Sequence, residues 1–167
     1  ERSLNTDVLF GVMREVIARR RDFRLVVTSA TLDADKFADF FGRVPIFKIP
    51  GRTFPVDCFF SKSLPSDYVE AAVNQAISIH AQQGPGDVLI FMPGERDIRE
   101  TRDRVEGMMG YDVEVVPLFG RLSSADQQKV FSSSSRRKVV IATNIAETSL
   151  TIPGIRYVID TGLARMS

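Results

Sequence analysis

From residue 67 onward the chain alternates between two kinds of pattern, and that alternation restricts its fold more than any other feature. Val69, Ala72, Val73, Ala76 and His80 recur at helical spacing over residues 67 to 82, and Gly84, Pro85 and Gly86 stop that helix before the apolar run "DVLIFMP". The order then returns, with "ERDIRETRDRVEGMM" as helix, "VEVVPLF" as strand, "SSADQQKVF" as helix, "KVVIAT" as strand and "IRYVID" as a last strand. Strands that alternate with helices pair in parallel, because each return to the same end of the sheet takes a crossover, and the crossover helices cover both faces. The expected class is α/β, with parallel sheets and helices on both sides.

The first sixty residues give a less regular reading. Val8, Val12 and Val16, beside Leu9, Met13 and Ile17, predict an amphipathic helix over residues 5 to 20, and the basic run 19 to 21 complements the dipole at its end. "RLVVTSA" (24 to 30) is short, apolar and β-branched, as a strand requires, and "DADKFADFF" places Phe37, Phe40 and Phe41 on one helical face. Residues 44 to 60 read as two extended pieces interrupted by Pro50, Gly51 and Pro55, and the polar "SKSLPSD" after them marks a domain boundary, giving segments 1–62 and 63–167. The run "SSSS" (132 to 135) reads as a surface loop, and there is no repeat of fixed period.

Composition excludes several classes of function. A chain of 167 residues, 44% hydrophobic and 26% charged, can bury a sizeable core and has no disordered bias. Its net charge of +1 means that any contact with nucleic acid must come from local clusters rather than from a basic surface. Cys58, the sole cysteine, excludes an intrachain disulfide framework and every multi-thiolate zinc site, which fits a reducing compartment. No stretch approaches the roughly 20 apolar residues of a membrane helix, and "ERSLNTDVLF" lacks the basic n-region of a secretion signal. A cytoplasmic chain with no membrane partner is expected.

Residues 138 to 154, "KVVIATNIAETSLTIPG", follow the most apolar run of the chain with Thr143, Asn144, Glu147, Thr148 and Ser149. In an open parallel sheet ligands collect beyond the carboxyl ends of the strands, and polar clusters stand at such ends repeatedly. Thr28, Ser29 and Thr31 follow "RLVV", Gly94 follows "VLIFMP", Thr143 and Asn144 follow "KVVIA", and Asp160, Thr161 and Gly162 follow "RYVI". Hydroxyls, an amide and glycine N–H groups are neutral donors that hold phosphate oxygens without the desolvation cost of a buried charge. Each cluster taken alone also reads as the cap of the next helix. Taken together they specify a phosphate-bearing ligand, a property shared by nucleotide enzymes, sugar-phosphate enzymes and nucleic-acid binders.

The ordered series "ERSLNTD", "VTSAT", "IPGRTFPV", "LIFMPG", "PLFGRLS" and "ATNIAETSLTIPG" resembles the DEAH-box family of superfamily 2 RNA helicases over nearly the whole chain. Within that family, "GPGDVLIFMPGERDI", "LSSADQQKVF" and "IPGIRYVIDTGLAR" are most similar to the bacterial HrpA type. The resemblance implies a motor of two RecA-like domains, with ATP and Mg2+ in the cleft between them and RNA, single-stranded or duplex with a tail, crossing both. It also leaves room for an accessory protein. Residues 1–62 would finish the first RecA-like domain and residues 63–167 would begin the second.

The same resemblance implies roles for particular residues. Glu1 and Arg2 match positions just after the DEAH box, so the phosphate-binding loop, the magnesium-binding acidic motif and the arginine-finger motif are expected outside this sequence, and no G-x-x-x-x-G-K-[ST] occurs within it. An isolated fragment of this kind would hydrolyse no ATP and bind no nucleotide tightly. Ser29, Ala30 and Thr31 match the motif that links ATP state to RNA movement. Gly94, Thr143 and Asn144 match contacts to the RNA backbone, and Thr148 and Ser149 match positions between RNA and the nucleotide, Ser149 within the catalytic machinery. Phe131 resembles the aromatic that stacks on adenine, although it also ends a helix through Val130 and reads equally as core. Arg52 and Arg121 read as RNA or interface contacts or as solvated loop residues, His80 as a structural member of its helix, and Pro153 stands where many relatives carry an acid near the ribose.

Two functions of different class follow. The first is the central segment of an ATP-dependent RNA helicase, coupling hydrolysis to translocation and unwinding. The second is a non-catalytic RecA-like module that binds RNA or docks a partner. An intact phosphate-binding loop and DEAH box upstream would separate the first from the second. A sugar-phosphate enzyme of doubly wound fold satisfies the strand-end argument but not the ordered motifs.

Overall fold

The computed structural model describes residues 4–28, 33–49, 51, 54–62, 65–148 and 150–163, with the side chains of 147 and 148 left aside. Two compact units divide between Phe59 and Phe60.

The first unit holds two helices. α1 spans Leu4–Arg19, close to the predicted range, and none of its residues is buried. α2 spans Ala34–Phe40, and the side chain of its cap Asp33 accepts a hydrogen bond from the Lys36 N–H. Aromatic edges join them: Phe10 meets Phe37 at 5.1 Å and Phe41 at 5.9 Å between ring centroids, both edge to face. Of the strand expected at 24–30, the described residues 24–28 carry none, and residues 29 and 30 lie outside the description. The extended pieces of 44–60 likewise pair with nothing among the described residues. A β-branched run states only a preference for extended backbone, and a strand exists only when a neighbour supplies the ladder.

The second unit carries the alternation predicted for it. α3 spans Tyr68–Gln82, β1 Asp87–Phe91, α4 Glu95–Met109, β2 Val113–Leu118, α5 Ser124–Gln128, β3 Arg137–Ala142, α6 Ile145–Thr148 and β4 Ile155–Asp160. The segment 123–131, expected as one helix, is α5 followed by a tighter turn over Lys129–Phe131. The sheet has the order β2-β3-β1-β4, and every pairing is parallel. This is a RecA-like α/β arrangement.

Burial follows the period of two along each strand. Val88, Ile90, Val139 and Ile141 face α3 and α4, packing against Val73, Ala76, Ile98 and Val105. Leu89, Val116, Leu118, Val140 and Ala142 face the other way, against Val130, Ala146 and Ile152. The central strands β1 and β3 are covered on both faces, whereas Val158 on the edge strand β4 remains 57% exposed. No helix among the described residues is long and apolar enough to cross a membrane.

Two polar features hold the amino-terminal edge of the sheet. Arg137 donates to the carbonyls of Ile79 (3.0 Å) and Gly84 at the end of α3, and its guanidinium lies over the Tyr157 ring. It thereby satisfies carbonyls that a helix end leaves without partners. Lys138 is buried, and its backbone N–H donates to Asp87 Oδ1 at 2.8 Å.

Candidate nucleic-acid interface

Because the four strands run in one direction, the loops leaving their carboxyl ends emerge along one edge of the sheet. They line a single groove of about 660 Å³. Met92, Pro93, Gly94 and Glu95 come from the end of β1, Phe119, Gly120 and Arg121 from β2, Thr143 and Asn144 from β3, and Asp160, Gly162 and Leu163 from β4.

Backbone bonds fix these loops beyond the regular ladder. The Met92 N–H donates to the Ala142 carbonyl at 2.8 Å and the Thr143 N–H to the Leu118 carbonyl at 3.2 Å. The Thr143 carbonyl in turn accepts from the Ala146 N–H at 3.2 Å, opening α6. The side chains of half-buried Thr143 and exposed Asn144 have no hydrogen-bond partner among the described residues. A fixed backbone with uncommitted polar side chains presents donors and acceptors to a ligand at little further entropic cost.

Gly94 caps the amino end of α4 in extended backbone, with no side chain closing that end, and its carbonyl accepts the first helical bond from Ile98 at 3.0 Å. The uncapped first turn favours an anion through both its N–H groups and the helix dipole. A Cβ at position 94 would lie 3.3 Å from Asp97 Oδ2. Asp97 is held in turn by the Tyr68 hydroxyl, which donates to its Oδ1 at 2.8 Å. That bond to a carboxylate pushes the Tyr68 pKa above its ordinary value.

The charged groups of the groove divide by whether the chain already satisfies them. Glu95 accepts from Arg99 at 2.7 Å, and Arg99 lies over the Phe119 ring. Asp160 Oδ1 accepts from the Gly162 N–H at 2.8 Å. Arg121 is exposed and has no partner among the described residues, so its guanidinium is available to an anionic ligand.

The groove therefore gathers Gly94, Thr143, Asn144, Asp160, Gly162 and Arg121 from the residues singled out in the sequence. Thr161 does not join them as a ligand donor, because its hydroxyl donates to the Phe91 carbonyl at 3.0 Å and fastens the turn after β4 to the end of β1. Phe131 lies elsewhere, 44% exposed over a shallow depression lined by Ala125, Gln128, Lys129 and Ser132, while its neighbour Val130 fills the core. His80 is part-buried on α3, its Nδ1 without a partner among the described residues. Cys58 and Pro153 are exposed.

Ser29, Ala30, Thr31, Arg52 and Ser149 lie outside the described residues, and Thr148 is described only as the last residue of α6. Sequence reasoning passed over Glu95, Phe119, Gly120 and Leu163 as members of the groove. Gly120 carried the same signal as Gly94, a glycine just past an apolar run. Among the described residues no group of three His, Cys, Asp or Glu side chains converges as a metal site.

Comparison with known proteins assigns a family. Residues 69–166 match the model of the helicase conserved C-terminal domain. Over its whole length the chain is similar to the ATP-dependent RNA helicase HrpA of Escherichia coli (strain K12), with 45% identity across 172 aligned residues that cover 13% of that protein. It is also similar over its whole length to the pre-mRNA-splicing factor ATP-dependent RNA helicase prp22 of Schizosaccharomyces pombe, with 43% identity across 175 residues, 15% of that protein. The chain thus spans a small part of each of these relatives.

Proposed function

Because the chain belongs to the family defined by the helicase conserved C-terminal domain, as a segment of the DEAH-box type, we propose that it works within an ATP-dependent RNA helicase as the part that grips the RNA backbone and passes on the state of the nucleotide. One observation carries this reading: loops from the ends of all four parallel strands meet in one groove, whose Thr143, Asn144 and Arg121 side chains have no partner among the described residues.

The chemistry of the groove suits a sugar-phosphate chain. Thr143 and Asn144 offer neutral donors, the open first turn of α4 at Gly94 offers N–H groups, and Arg121 offers one cation. Such contacts fix position and direction along a polynucleotide without reading its bases, as a translocating enzyme requires. With one free guanidinium among the described residues of the groove, the grip is adjustable, since each phosphate contact costs only the release or recovery of about one counterion.

ATP supplies the free energy of the cycle. On the nucleotide side this chain offers the exposed ring of Phe131, a π face for adenine. Ser29, Ala30, Thr31, Thr148 and Ser149 are assigned the coupling of nucleotide state to RNA movement, on their match to the family motifs. On the match to the family motifs we assign Mg2+ to other parts of the full-length protein, along with the phosphate-binding loop and the arginine fingers. In this reading residues 1–62 belong to the first RecA-like domain and residues 63–167 to the second, in a cytoplasmic enzyme. An accessory protein that stimulates turnover fits the scheme.

Alanine at both Thr143 and Asn144 in the full-length protein tests the reading. Loss of two backbone contacts should weaken RNA binding about tenfold or more and lower RNA-stimulated ATPase in parallel. Unchanged RNA affinity would overturn it.

A further inference from the structure

Lys138 is 4% exposed at the start of β3, and its ammonium serves neither the groove nor any surface ion pair. Its Nζ donates to the carbonyl of Val130 at 2.7 Å and to the carbonyl of Ser132 at 3.0 Å. These two carbonyls stand on either side of Phe131. Asp87 balances the buried charge, with Oδ2 at 3.9 Å from Nζ and Oδ1 bound to the backbone N–H of Lys138 itself.

The turn over Lys129–Phe131 is tied to α5 at its start, where the Lys129 N–H donates to the Asp126 carbonyl and Lys129 Nζ donates to Asp126 Oδ1 at 2.7 Å. Val130 anchors it in the core, and the Ser132 N–H donates to the Lys129 carbonyl at 3.2 Å, but the Phe131 ring stands 44% exposed. An exposed aromatic at the end of a short turn would ordinarily fold down onto nearby apolar surface. The Val130 carbonyl held by the ammonium fixes the peptide plane before residue 131, the Ser132 N–H bonded to Lys129 fixes the plane after it, and the Ser132 carbonyl on the same ammonium fixes the plane beyond, so together they set the direction in which the Phe131 side chain leaves the backbone. A buried lysine is a costly way to hold a turn, and that cost is met here by two carbonyls and one carboxylate rather than by solvent.

We propose that Lys138 is a positioning residue for nucleotide binding: by clamping the carbonyls of Val130 and Ser132 it holds the Phe131 ring outward, ready to stack on a purine base. The proposal rests on the reading of Phe131 as the base-stacking residue. Preorganisation of this kind favours binding because the ring loses no freedom when the base arrives.

The test uses the full-length protein and steady-state ATPase in saturating RNA, with ATP as the substrate and ribose 5-triphosphate, which carries no base, as the competitor. Lys138→Met keeps the volume and removes the clamp. It should raise the KM for ATP about tenfold, the lower range of one base–aromatic stack, with kcat and RNA affinity unchanged and with inhibition by ribose 5-triphosphate unaltered. Phe131→Ala should do the same, and the two substitutions together should cost no more than either alone. Lys138→Gln, which keeps one donor for the same carbonyls, should give an intermediate KM and is read by the same criterion if the methionine variant does not fold. An ATP KM unmoved in the Lys138 variants but raised in Phe131→Ala would overturn the clamp alone. An unmoved KM in Phe131→Ala would overturn the stacking role beneath it. Equal losses for ATP and ribose 5-triphosphate would show that Lys138 merely supports the fold.

Discussion

Gly154 presses against Asp87 so closely that a Cβ on it would lie 2.8 Å from the Asp87 Oδ2, in backbone with a φ of +84°. The Gly154 carbonyl also accepts the Asp87 N–H at 2.9 Å, which brings the start of β4 beside the start of β1. Gly94 at the other end of β1 differs on both counts, with a φ of −160° and a nearest neighbour at 3.3 Å.

Alanine at these two glycines should therefore have opposite consequences. Gly154→Ala forces an unfavourable φ and a displaced carboxylate, and should cost about 2–4 kcal/mol of stability. Gly94→Ala leaves the backbone unstrained, and should cost about 1 kcal/mol or less through a poorer helix cap. If the first turn of α4 meets an RNA phosphate, its cost should fall instead on RNA affinity, through the methyl group and the shift it imposes on Asp97. Urea midpoints beside RNA titrations measure both, and a Gly94→Ala variant with undiminished RNA affinity would remove that glycine from the interface.

Asp67 sets a second expectation, for acid. Its carboxylate caps α3 by accepting the Glu70 N–H at 2.9 Å and also faces the Arg104 guanidinium at 3.2 Å. The backbone bond above all, and the guanidinium after it, hold its pKa below the usual carboxylate range. A carboxyl depressed on folding adds stability in full above its ordinary value of about 4, and loses it as the pH falls from there through the lower folded value. Asp67→Asn keeps a good cap but no charge, so its unfolding midpoint should lie below the parent's at neutral pH and converge with it once the pH has fallen through the lowered folded value. Parallel curves at all pH values would show that the charge at Asp67 contributes nothing.

The third concerns salt. Among the described residues Arg121 is the one arginine that lines the groove, and it has no partner there. If it meets a phosphate, Arg121→Gln in the full-length protein should reduce the slope of log affinity for single-stranded RNA against log salt by about 0.7. It should weaken all sequences alike. An unchanged slope would return Arg121 to the solvated loop residues.

The second unit was legible because its elements are long or strongly patterned. Helical spacing over 67–82 and 95–109 and the β-branched cores of "DVLIF" and "KVVIA" mark elements that burial on both faces then enforces. The rim clusters were legible one by one, and the parallel sheet made the step from separate clusters to one groove. Thr161 failed as a candidate because its partner, the Phe91 carbonyl, lies 70 residues away in sequence. The clamp on Phe131 was hidden for a similar reason: nothing in "RRKVV" distinguishes a buried lysine from a solvated one until β1 brings Asp87 alongside. In the first unit "RLVV" has strand chemistry without a described partner, and local preference alone could not reveal that.

The strand order has a consequence for how this protein is made. β1 lies between β3 and β4, both of which follow it in sequence, so its hydrogen bonds wait until those strands have left the ribosome. The groove is complete only when β4 has joined the sheet. A nascent chain halted before β4 carries Gly94, Arg121, Thr143 and Asn144 but lacks the wall that Asp160, Gly162 and Leu163 supply.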